Sequence, residues 1–220
     1  MKTSACLYEN AKDIWEGYLQ QPFVKELGEG TLSLERFQYY MLQDYLYLLD
    51  YVKVFAYGVV KAKDEGMMAE FTSMLHHTLH GEMDIHRAYM SRVGISEEAV
   101  AAANPVLANR SYTSYMLDVA ARGDELDVLV AVLSCAWTYA VIGKHHMGML
   151  GAQEHIHYGE WVRGYCSDEF QNDSLRLIGL VDELGADISD KRRDELCDVF
   201  RNCCLFERGF WDMAYRMDAE

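Results

Sequence analysis

Proline is nearly absent from this chain, and its scarcity constrains the fold more than any other feature of the sequence. Only Pro22 and Pro105 occur among 220 residues. Sandwiches and barrels of this length need many turns, which are usually rich in proline and glycine. A chain with so few prolines is expected to form long helices, which proline would interrupt. We therefore predict an all-α protein, a bundle of long helices joined by short connections.

Residue types that favour the first position of a helix recur along the chain. Each is a small polar or acidic side chain that can accept hydrogen bonds from the free N–H groups of a first turn. These candidates are Ser33, Ser96, Asn104, Asp124 and Ser189. Asn104 stands directly before Pro105, and proline is favoured at the first helical position. We therefore expect a helix to begin at Pro105.

Glycines that favour helix ends occur between the same segments, because glycine adopts the conformation of a C-terminal cap without strain. They are Gly94, Gly123, Gly151 and Gly185. The start and end signals together predict helices near residues 5–20, 34–63, 66–92, 97–102, 105–121, 125–149, 154–165, 168–184 and 190–216. No segment alternates as a half-buried strand would. No linker or repeat interrupts the chain, so we expect one domain over residues 1–220.

The acidity of the chain argues against two classes of partner. Lysine and arginine number 20 and aspartate and glutamate 35, which gives a formal net charge of −15. A nucleic-acid binder needs a basic surface to displace phosphate counterions, and docking on anionic lipid needs one too. We therefore expect neither nucleic acid nor a membrane as a partner. Apolar residues make up 50% of the chain, which is enough for a full-sized core.

The longest uncharged run, residues 128–143, lies between Asp127 and Lys144. A membrane-spanning helix needs about 20 apolar residues, so this run is too short and predicts a helix buried on most sides. The N-terminal residues lack the apolar stretch of a signal peptide. The six cysteines include no CxxC pair. We therefore expect reduced thiols and a cytoplasmic protein.

One face of the predicted helix 34–63 carries a carboxylate among aromatic side chains: Tyr40, Asp44, Tyr47 and Tyr51. Their spacing of i, i+4, i+7 and i+11 places them in line at about 100° per residue. Such a face can bind a flat, nitrogen-rich ligand, because rings stack and the carboxylate accepts hydrogen bonds from an amine edge. The alternative is that the tyrosines belong to the core and that Asp44 is solvated.

Two further residues have chemistry that a site could use. Cys135 lies in the middle of the uncharged helix, one turn before Tyr139; it is either a small buried hydrophobic residue or a nucleophile that faces an internal cavity. Glu207 lies among bulky apolar residues in the last helix. If it is buried, its pKa is raised and it can serve as a general acid. The alternative is a surface glutamate paired with Arg201 or Arg208.

The histidines suggest a metal site only weakly. His76 and His80 are spaced i, i+4, as are Glu82 and His86. Glu82 lies roughly 160° around one helix from His80, so the two pairs point apart. Each pair would need ligands from other helices, as in the carboxylate and histidine iron sites of helical bundles. The order of cysteines and histidines matches no zinc spacing, and we expect no bound metal.

With these residues identified, the sequence resembles the thiaminase II (TenA) family from Pro22 to Tyr215. Five segments match in order, which makes the resemblance specific. They are GTLSLERFQYYMLQDYLYL (30–48), SYTSYML (111–117), LSCAWTYAVIG (133–143), WVRGYCSDEF (161–170) and FERGFWDMAY (206–215). The cysteine in the third segment places the chain with the cysteine-bearing branch of the family.

The resemblance implies a haem-oxygenase-like helical fold, a homotetramer and an enzyme without a cofactor. Its expected reaction is hydrolysis of 4-amino-5-aminomethyl-2-methylpyrimidine to the hydroxymethyl compound and ammonia, in thiamin salvage. Many members also cleave thiamin, so the expected partner is a small aminopyrimidine or thiamin. No Gly-rich phosphate loop or basic cluster is present, and a phosphorylated pyrimidine is therefore a weaker substrate candidate.

The resemblance also implies roles for individual residues. Cys135 would be the nucleophile and add to the pyrimidine ring, most plausibly at C6. Glu207 would be the acid and base, and Asp44 would hold the amidine edge of the ring. The residues expected to line and position the ring are Tyr47, Tyr112, Tyr139 and Tyr165. Nearby carboxylates would raise the pKa of the Cys135 thiol, so we expect no standing thiolate.

The chain departs from the family pattern at two positions. Ser134 stands where proline usually precedes the cysteine, and Phe206 stands where tyrosine often precedes the glutamate. Neither change removes a proposed catalytic atom, but Phe206 lacks a hydroxyl that could tune the site. Two other functions stay open, since one fold hosts many activities. One is a metal-dependent oxygenase that uses Glu82 and His86, and the other is a non-catalytic pyrimidine-binding protein.

Overall fold

The computed structural model describes residues 1–218, which contain helices and no β-strand. The α-helices, in chain order, are α1 (Thr3–Tyr18), α2 (Pro22–Glu29), α3 (Leu34–Lys61), α4 (Glu65–His77), α5 (Met83–Arg92), α6 (Glu97–Ala102), α7 (Leu107–Arg122), α8 (Glu125–His146), α9 (Leu150–Gln153), α10 (Gly159–Cys166), α11 (Asp168–Leu184) and α12 (Asp190–Arg216). A π-helical turn, Thr78–Glu82, joins α4 to α5. The predicted all-α class is confirmed.

Helix α8 lies at the centre of the bundle. It packs against α3, α7, α10, α11 and α12, and its first ten residues, Glu125 to Ser134, are all buried. By length and composition α8 could cross a membrane, but 78% of its apolar window is covered by the protein itself. It is therefore the core helix that the uncharged run predicted.

Most predicted helix starts are confirmed by side-chain hydrogen bonds. The hydroxyls of Ser33, Ser96 and Ser189 each accept from the backbone N–H three residues later. Asp124 forms a reciprocal capping box with Asp127 at the start of α8. Arg192 on α12 then donates to both carboxylates, at 2.6–2.9 Å. These contacts fix the start of α8 against the last helix.

Helix α2 was not predicted. The side chain of Gln21 accepts from the N–H of Val24, and Pro22 occupies the first helical position. Gly30 ends the helix with φ at +73°. The proline and glycine were visible as signals, but a helix of eight residues gives too short a pattern to identify by periodicity.

The predicted start at Pro105 is wrong. Asn104 and Pro105 lie in an extended connection, and α7 begins at Leu107 after Val106, whose side chain makes no cap. The backbone carbonyl of Asn104 instead accepts from the side chain of Gln43 on α3. Tertiary contacts with α3 therefore outweigh the local preference for a cap.

Three other boundaries also differ from prediction. The segment 66–92 is interrupted by the π-helical turn, and the helix expected over 154–165 begins only at Gly159. Gly151 lies inside α9 rather than at a helix end, where a Cβ would meet the carbonyl oxygen of Glu29 at 2.8 Å. The helix boundaries at these places depend on packing between segments that are distant in the chain, so the local sequence signals misplace them.

Gly143 lets α8 and α10 approach closely enough to place Tyr165. A Cβ at position 143 would lie 2.3 Å from the carbonyl oxygen of Tyr165, and the thiol of Cys166 donates to the Gly143 carbonyl at 3.0 Å. We predict that Gly143→Ala lowers the free energy of unfolding by about 1–3 kcal/mol, because the backbone of α10 has to move. Urea unfolding measures this change.

Gly179→Ala is the matched control, because position 179 is an exposed part of α11 where a Cβ meets nothing within 4 Å. Alanine is expected to stabilise that helix by about 0.5–1 kcal/mol. Equal stability of the two alanine variants would contradict the close approach of α8 and α10.

Candidate functional site

Glu207 is buried inside the bundle, so the alternative prediction of a surface glutamate is wrong. Only 2% of its surface is exposed, and its Oε2 accepts a hydrogen bond from the Tyr112 hydroxyl at 2.9 Å. Arg201, the proposed surface partner, pairs instead with Asp13. Burial raises the pKa of Glu207 to about 8, against the opposing hydrogen bond from Tyr112. The carboxyl group is therefore largely protonated at neutral pH.

Cys135 lies where the burial of α8 is interrupted. The residues before it are fully buried, whereas Cys135 to Trp137 keep part of their surface accessible. The thiol is nevertheless deep in the protein. Desolvation raises its pKa well above the usual value, and Glu207, Glu82 and Asp44 raise it further. The expected absence of a standing thiolate agrees with these surroundings, since acidic side chains raise the pKa of the thiol.

Asp44 is buried rather than solvated, and its two oxygens differ. Oδ2 accepts from the Tyr40 hydroxyl at 3.0 Å and contacts Nε2 of His86 at 2.6 Å. Oδ1 makes no hydrogen bond to a protein side chain or backbone group within the described residues. The protein thus holds the carboxylate by one oxygen and leaves the other available to a ligand.

His86 is a residue of this site that the sequence analysis did not place there. Its Nδ1 lies 2.9 Å from the backbone carbonyl of Glu82, and its Nε2 contacts Asp44. Desolvation opposes protonation, but the hydrogen bond and charge of Asp44 prevail and raise the pKa of His86. Both ring nitrogens contact protein oxygens, so His86 is not free to bind a metal. No group of three potential metal ligands forms within residues 1–218.

Glu82 is the second residue that sequence reasoning did not place in the leading site. It ends the π-helical turn and is only partly exposed. Burial raises the pKa of its carboxyl, and contact with Tyr165 acts in the opposite direction. Its backbone carbonyl lies 2.9 Å from Nδ1 of His86, the partner of Asp44, which places Glu82 beside these residues. Turns of π-helix inside α-helices occur often at functional sites, but their position depends on packing and not on a sequence pattern.

The predicted tyrosines lie beside these residues in two contacting groups. The hydroxyls of Tyr139 and Tyr40 lie 2.8 Å apart, and the rings of Tyr139 and Tyr165 are 4.8 Å apart. On the other side, Tyr47 lies 5.2 Å from Tyr112. Burial raises the pKa of all five hydroxyls well above the usual value. They therefore act as neutral hydrogen-bond donors and as flat apolar walls.

The two departures from the family pattern both contact Tyr112. Ser134 donates to the Ala131 carbonyl at 3.2 Å, and its hydroxyl lies 3.0 Å from that of Tyr112. The Phe206 ring stacks on Tyr112 with centroids 5.8 Å apart and planes inclined by 13°. Together they fix the tyrosine that donates to Glu207.

The site thus combines a thiol, three carboxyl groups and tyrosine walls. The carboxyl groups that raise the pKa of the Cys135 thiol are Glu207, Glu82 and Asp44. A site with this many carboxyl groups favours a cationic or proton-rich ligand and disfavours a phosphate. A buried carboxyl with a pKa near neutrality can both donate and accept a proton.

Comparison with known proteins finds relatives that match over nearly the whole chain. The aminopyrimidine aminohydrolase of Halalkalibacterium halodurans is 46% identical to this chain over 215 residues, which cover 98% of this chain and 96% of that protein. The structure of a TenA homologue protein from P. horikoshii matches with a TM-score of 0.92 at 30% identity, covering 99% of this chain and all (100%) of the other.

A more distant structure shares only the fold with this chain. A domain of unknown function with a heme oxygenase-like fold from Shewanella denitrificans matches with a TM-score of 0.75 at 16% identity, covering 96% of this chain and 91% of that chain. This likeness confirms the predicted haem-oxygenase-like architecture. Residues 8–217 match the TENA/THI-4/PQQC family. The chain therefore belongs to the TENA/THI-4/PQQC family.

Proposed function

We propose that this chain is an aminopyrimidine aminohydrolase of thiamin salvage, a thiaminase II. Its reaction is hydrolysis of 4-amino-5-aminomethyl-2-methylpyrimidine to the hydroxymethyl compound and ammonia. The observation that carries this function is the hydroxyl of Tyr112, which contacts both the buried Glu207 carboxyl and Ser134, the residue next to Cys135. The name of the relative that matches over 98% of this chain supports the same reaction.

Substrate binding is assigned to the free oxygen of Asp44 and to the tyrosine rings. Oδ1 accepts a hydrogen bond from the amino edge of the pyrimidine, while Oδ2 stays with Tyr40 and His86. The tyrosines offer the ring faces on which a flat pyrimidine stacks, since aromatic rings stack with offset faces. The carboxylate favours a protonated, electron-poor ring, which prepares C6 for attack.

The proposed chemical steps use two buried acidic groups, the Cys135 thiol and the Glu207 carboxyl. The Cys135 sulfur bonds to ring C6 and its proton passes to the adjacent ring nitrogen, so aromaticity is lost. Electrons from the ring then expel the amine from the methylene carbon, and Glu207 supplies the proton that the departing ammonia needs. Glu207 is now a carboxylate. It takes a proton from a water molecule, and the water oxygen bonds to that methylene carbon. Release of Cys135 restores the aromatic ring and the thiol.

The raised pKa of Glu207 suits both of its roles. A carboxyl group with a pKa of about 8 holds its proton at neutral pH and is a stronger base than a solvated glutamate once it has lost it. Tyr112 donates to Glu207 and keeps its Oε2 in place at 2.9 Å. The departures at Ser134 and Phe206 stabilise this tyrosine and leave the acid itself unchanged.

Several finer assignments belong to the same proposal. We infer cleavage of thiamin as a second reaction, since its thiazolium is a cation that suits an acidic site. We also propose a homotetramer and a single domain over residues 1–220, whose core runs from Leu7 to Ala214. A cytoplasmic location is supported by six cysteines that are all free.

The decisive experiment is ammonia release from the aminomethylpyrimidine by purified, metal-free protein. We expect turnover by the wild type and, for Cys135→Ala, a fall in kcat of at least about a thousandfold, because the covalent step is lost. The control is Cys6→Ala, which removes a thiol from α1 instead of α8 and should keep full activity. Full turnover by Cys135→Ala would exclude the covalent step. A wild type that binds the pyrimidine without turnover of it or of thiamin would be a binding protein.

The pKa of Glu207 also predicts how stability depends on pH. The carboxyl has a pKa of 4.5 when exposed and of about 8 when folded, so between these values the folded state binds more protons and stability falls as pH rises. Glu207→Gln removes this effect. We expect the variant to gain a few kcal/mol, on the order of 2–4, relative to the wild type between pH 4.5 and 8.

Thermal and urea unfolding across this pH range measure that difference. Glu169→Gln, at an exposed glutamate on α11, is the matched control and should follow the wild type at every pH. A constant difference between Glu207→Gln and the wild type would contradict a protonated, buried Glu207.

Asp44 provides a separate prediction for substrate binding. A neutral hydrogen bond contributes about 0.5–1.5 kcal/mol, and a charge-assisted contact contributes about twice as much. We therefore expect Asp44→Asn to lower kcat/KM by at least about a hundredfold. Asp50→Asn, on the outer part of α3 where Asp50 pairs with Lys53, is the control. A loss of less than tenfold would remove Asp44 from the binding site.

A further inference from the structure

The contacts of His86 determine where its protons lie. Nδ1 is 2.9 Å from the backbone carbonyl oxygen of Glu82, and a carbonyl oxygen only accepts hydrogen bonds. Nδ1 therefore carries a hydrogen and donates it. The second nitrogen, Nε2, lies 2.6 Å from Oδ2 of Asp44. A neutral imidazole with hydrogen on Nδ1 has only a lone pair at Nε2, so one more proton has to lie between Nε2 and Oδ2.

The surroundings of Oδ2 indicate which atom holds that proton. Oδ2 also accepts from the Tyr40 hydroxyl at 3.0 Å, and an oxygen with two donors is best satisfied as a carboxylate. The Glu82 carbonyl opposite stabilises the hydrogen on Nδ1 in the same way. Imidazole and carboxyl are both buried, with 2% and 8% of the side chains exposed. A buried charged pair persists where its remaining donors and acceptors are satisfied, as they are here on every side except Oδ1.

We propose that His86 is the positioning residue of the ligand-binding carboxylate: as an imidazolium held between the Glu82 carbonyl and Oδ2, it keeps the Asp44 side chain turned with Oδ1 toward the ligand. Without His86, Oδ2 would keep only the Tyr40 hydroxyl as a partner, and the Asp44 side chain would be free to turn. His86 touches no reacting atom; it acts through Asp44. The role rests on the proposed function, in which Asp44 binds the amino edge of a pyrimidine.

The π-helical turn has a specific part in this arrangement. It ends at Glu82 and directly precedes α5, the helix that carries His86. Glu82, the last residue of the turn, therefore offers its backbone carbonyl to His86 one helical turn later.

The first test reads the protons directly and needs no turnover. Nitrogen-15 chemical shifts of the histidine rings in the full-length wild type at pH 7.5 distinguish an imidazolium from either neutral form. Absence of the signal in His86→Gln assigns it. We expect both nitrogens of His86 to carry hydrogen, and one of them to lose it in Asp44→Asn. A neutral ring at His86 in the wild type would overturn the proposal, whatever the enzyme's activity.

The second test measures the connection between His86 and Asp44. We expect His86→Gln to raise KM at least about tenfold and to change kcat less than about threefold, because binding is affected more than chemistry. His80→Gln, the same change at an exposed histidine of the π-helical turn, is the control and should match the wild type.

A double-mutant cycle separates positioning from a merely structural role. Combining His86→Gln with Asp44→Asn should lower affinity for the hydroxymethylpyrimidine by no more than Asp44→Asn alone, since one residue acts through the other. Additive losses, or a fall in kcat with unchanged KM, would overturn the proposal. Calorimetry supplies these affinities even for variants without turnover, so failure of the hydrolase assignment would be seen separately.

Discussion

The complete burial of the first half of α8 is the constraint on which the site depends. Five helices cover it, and four of them carry other residues of the candidate site. Helix α3 contributes Asp44, α7 contributes Tyr112, α10 contributes Tyr165 and α12 contributes Glu207. Because an apolar helix needs cover on all sides, packing the core and assembling the site are the same event. Close approach at Gly143 shows how little room this leaves.

Desolvation then determines the chemistry that these groups can perform. Glu207 holds a proton because water is excluded from it, and the thiol of Cys135 is kept neutral by the same exclusion and by the surrounding carboxyls. Asp44 differs from Glu207 because it has His86 as a buried partner. The two carboxyls thus have different partners, His86 for Asp44 and Tyr112 for Glu207, which suits them to different roles.

Sequence reasoning found the members of the site that lie in strong local patterns. The face of Tyr40, Asp44 and Tyr47 followed from helical spacing, and Cys135 stood out in an uncharged run. The residues His86 and Glu82 were considered only as metal ligands, because their i, i+4 spacing suggested a carboxylate and histidine pair. The partners of His86, Asp44 on α3 and the Glu82 carbonyl, come from packing that this spacing does not show. Boundaries at Pro105 and Gly151 were wrong for a related reason, since contacts with α3 and α2 replace the local signals.

The sequence by itself determined the helical class, the order of the long helices and the family, because these depend on apolar periodicity, caps and motifs that are local in the chain. It also supplied Cys135 and Glu207 as alternatives between core or surface and catalysis. Only the tertiary structure decided that Glu207 is buried and that His86 pairs with Asp44. Such burial and pairing depend on helices that are distant in the chain, as the contact of Tyr112 with Glu207, 95 positions apart, illustrates. Burial and pairing are properties of packed helices, and no local sequence pattern encodes them.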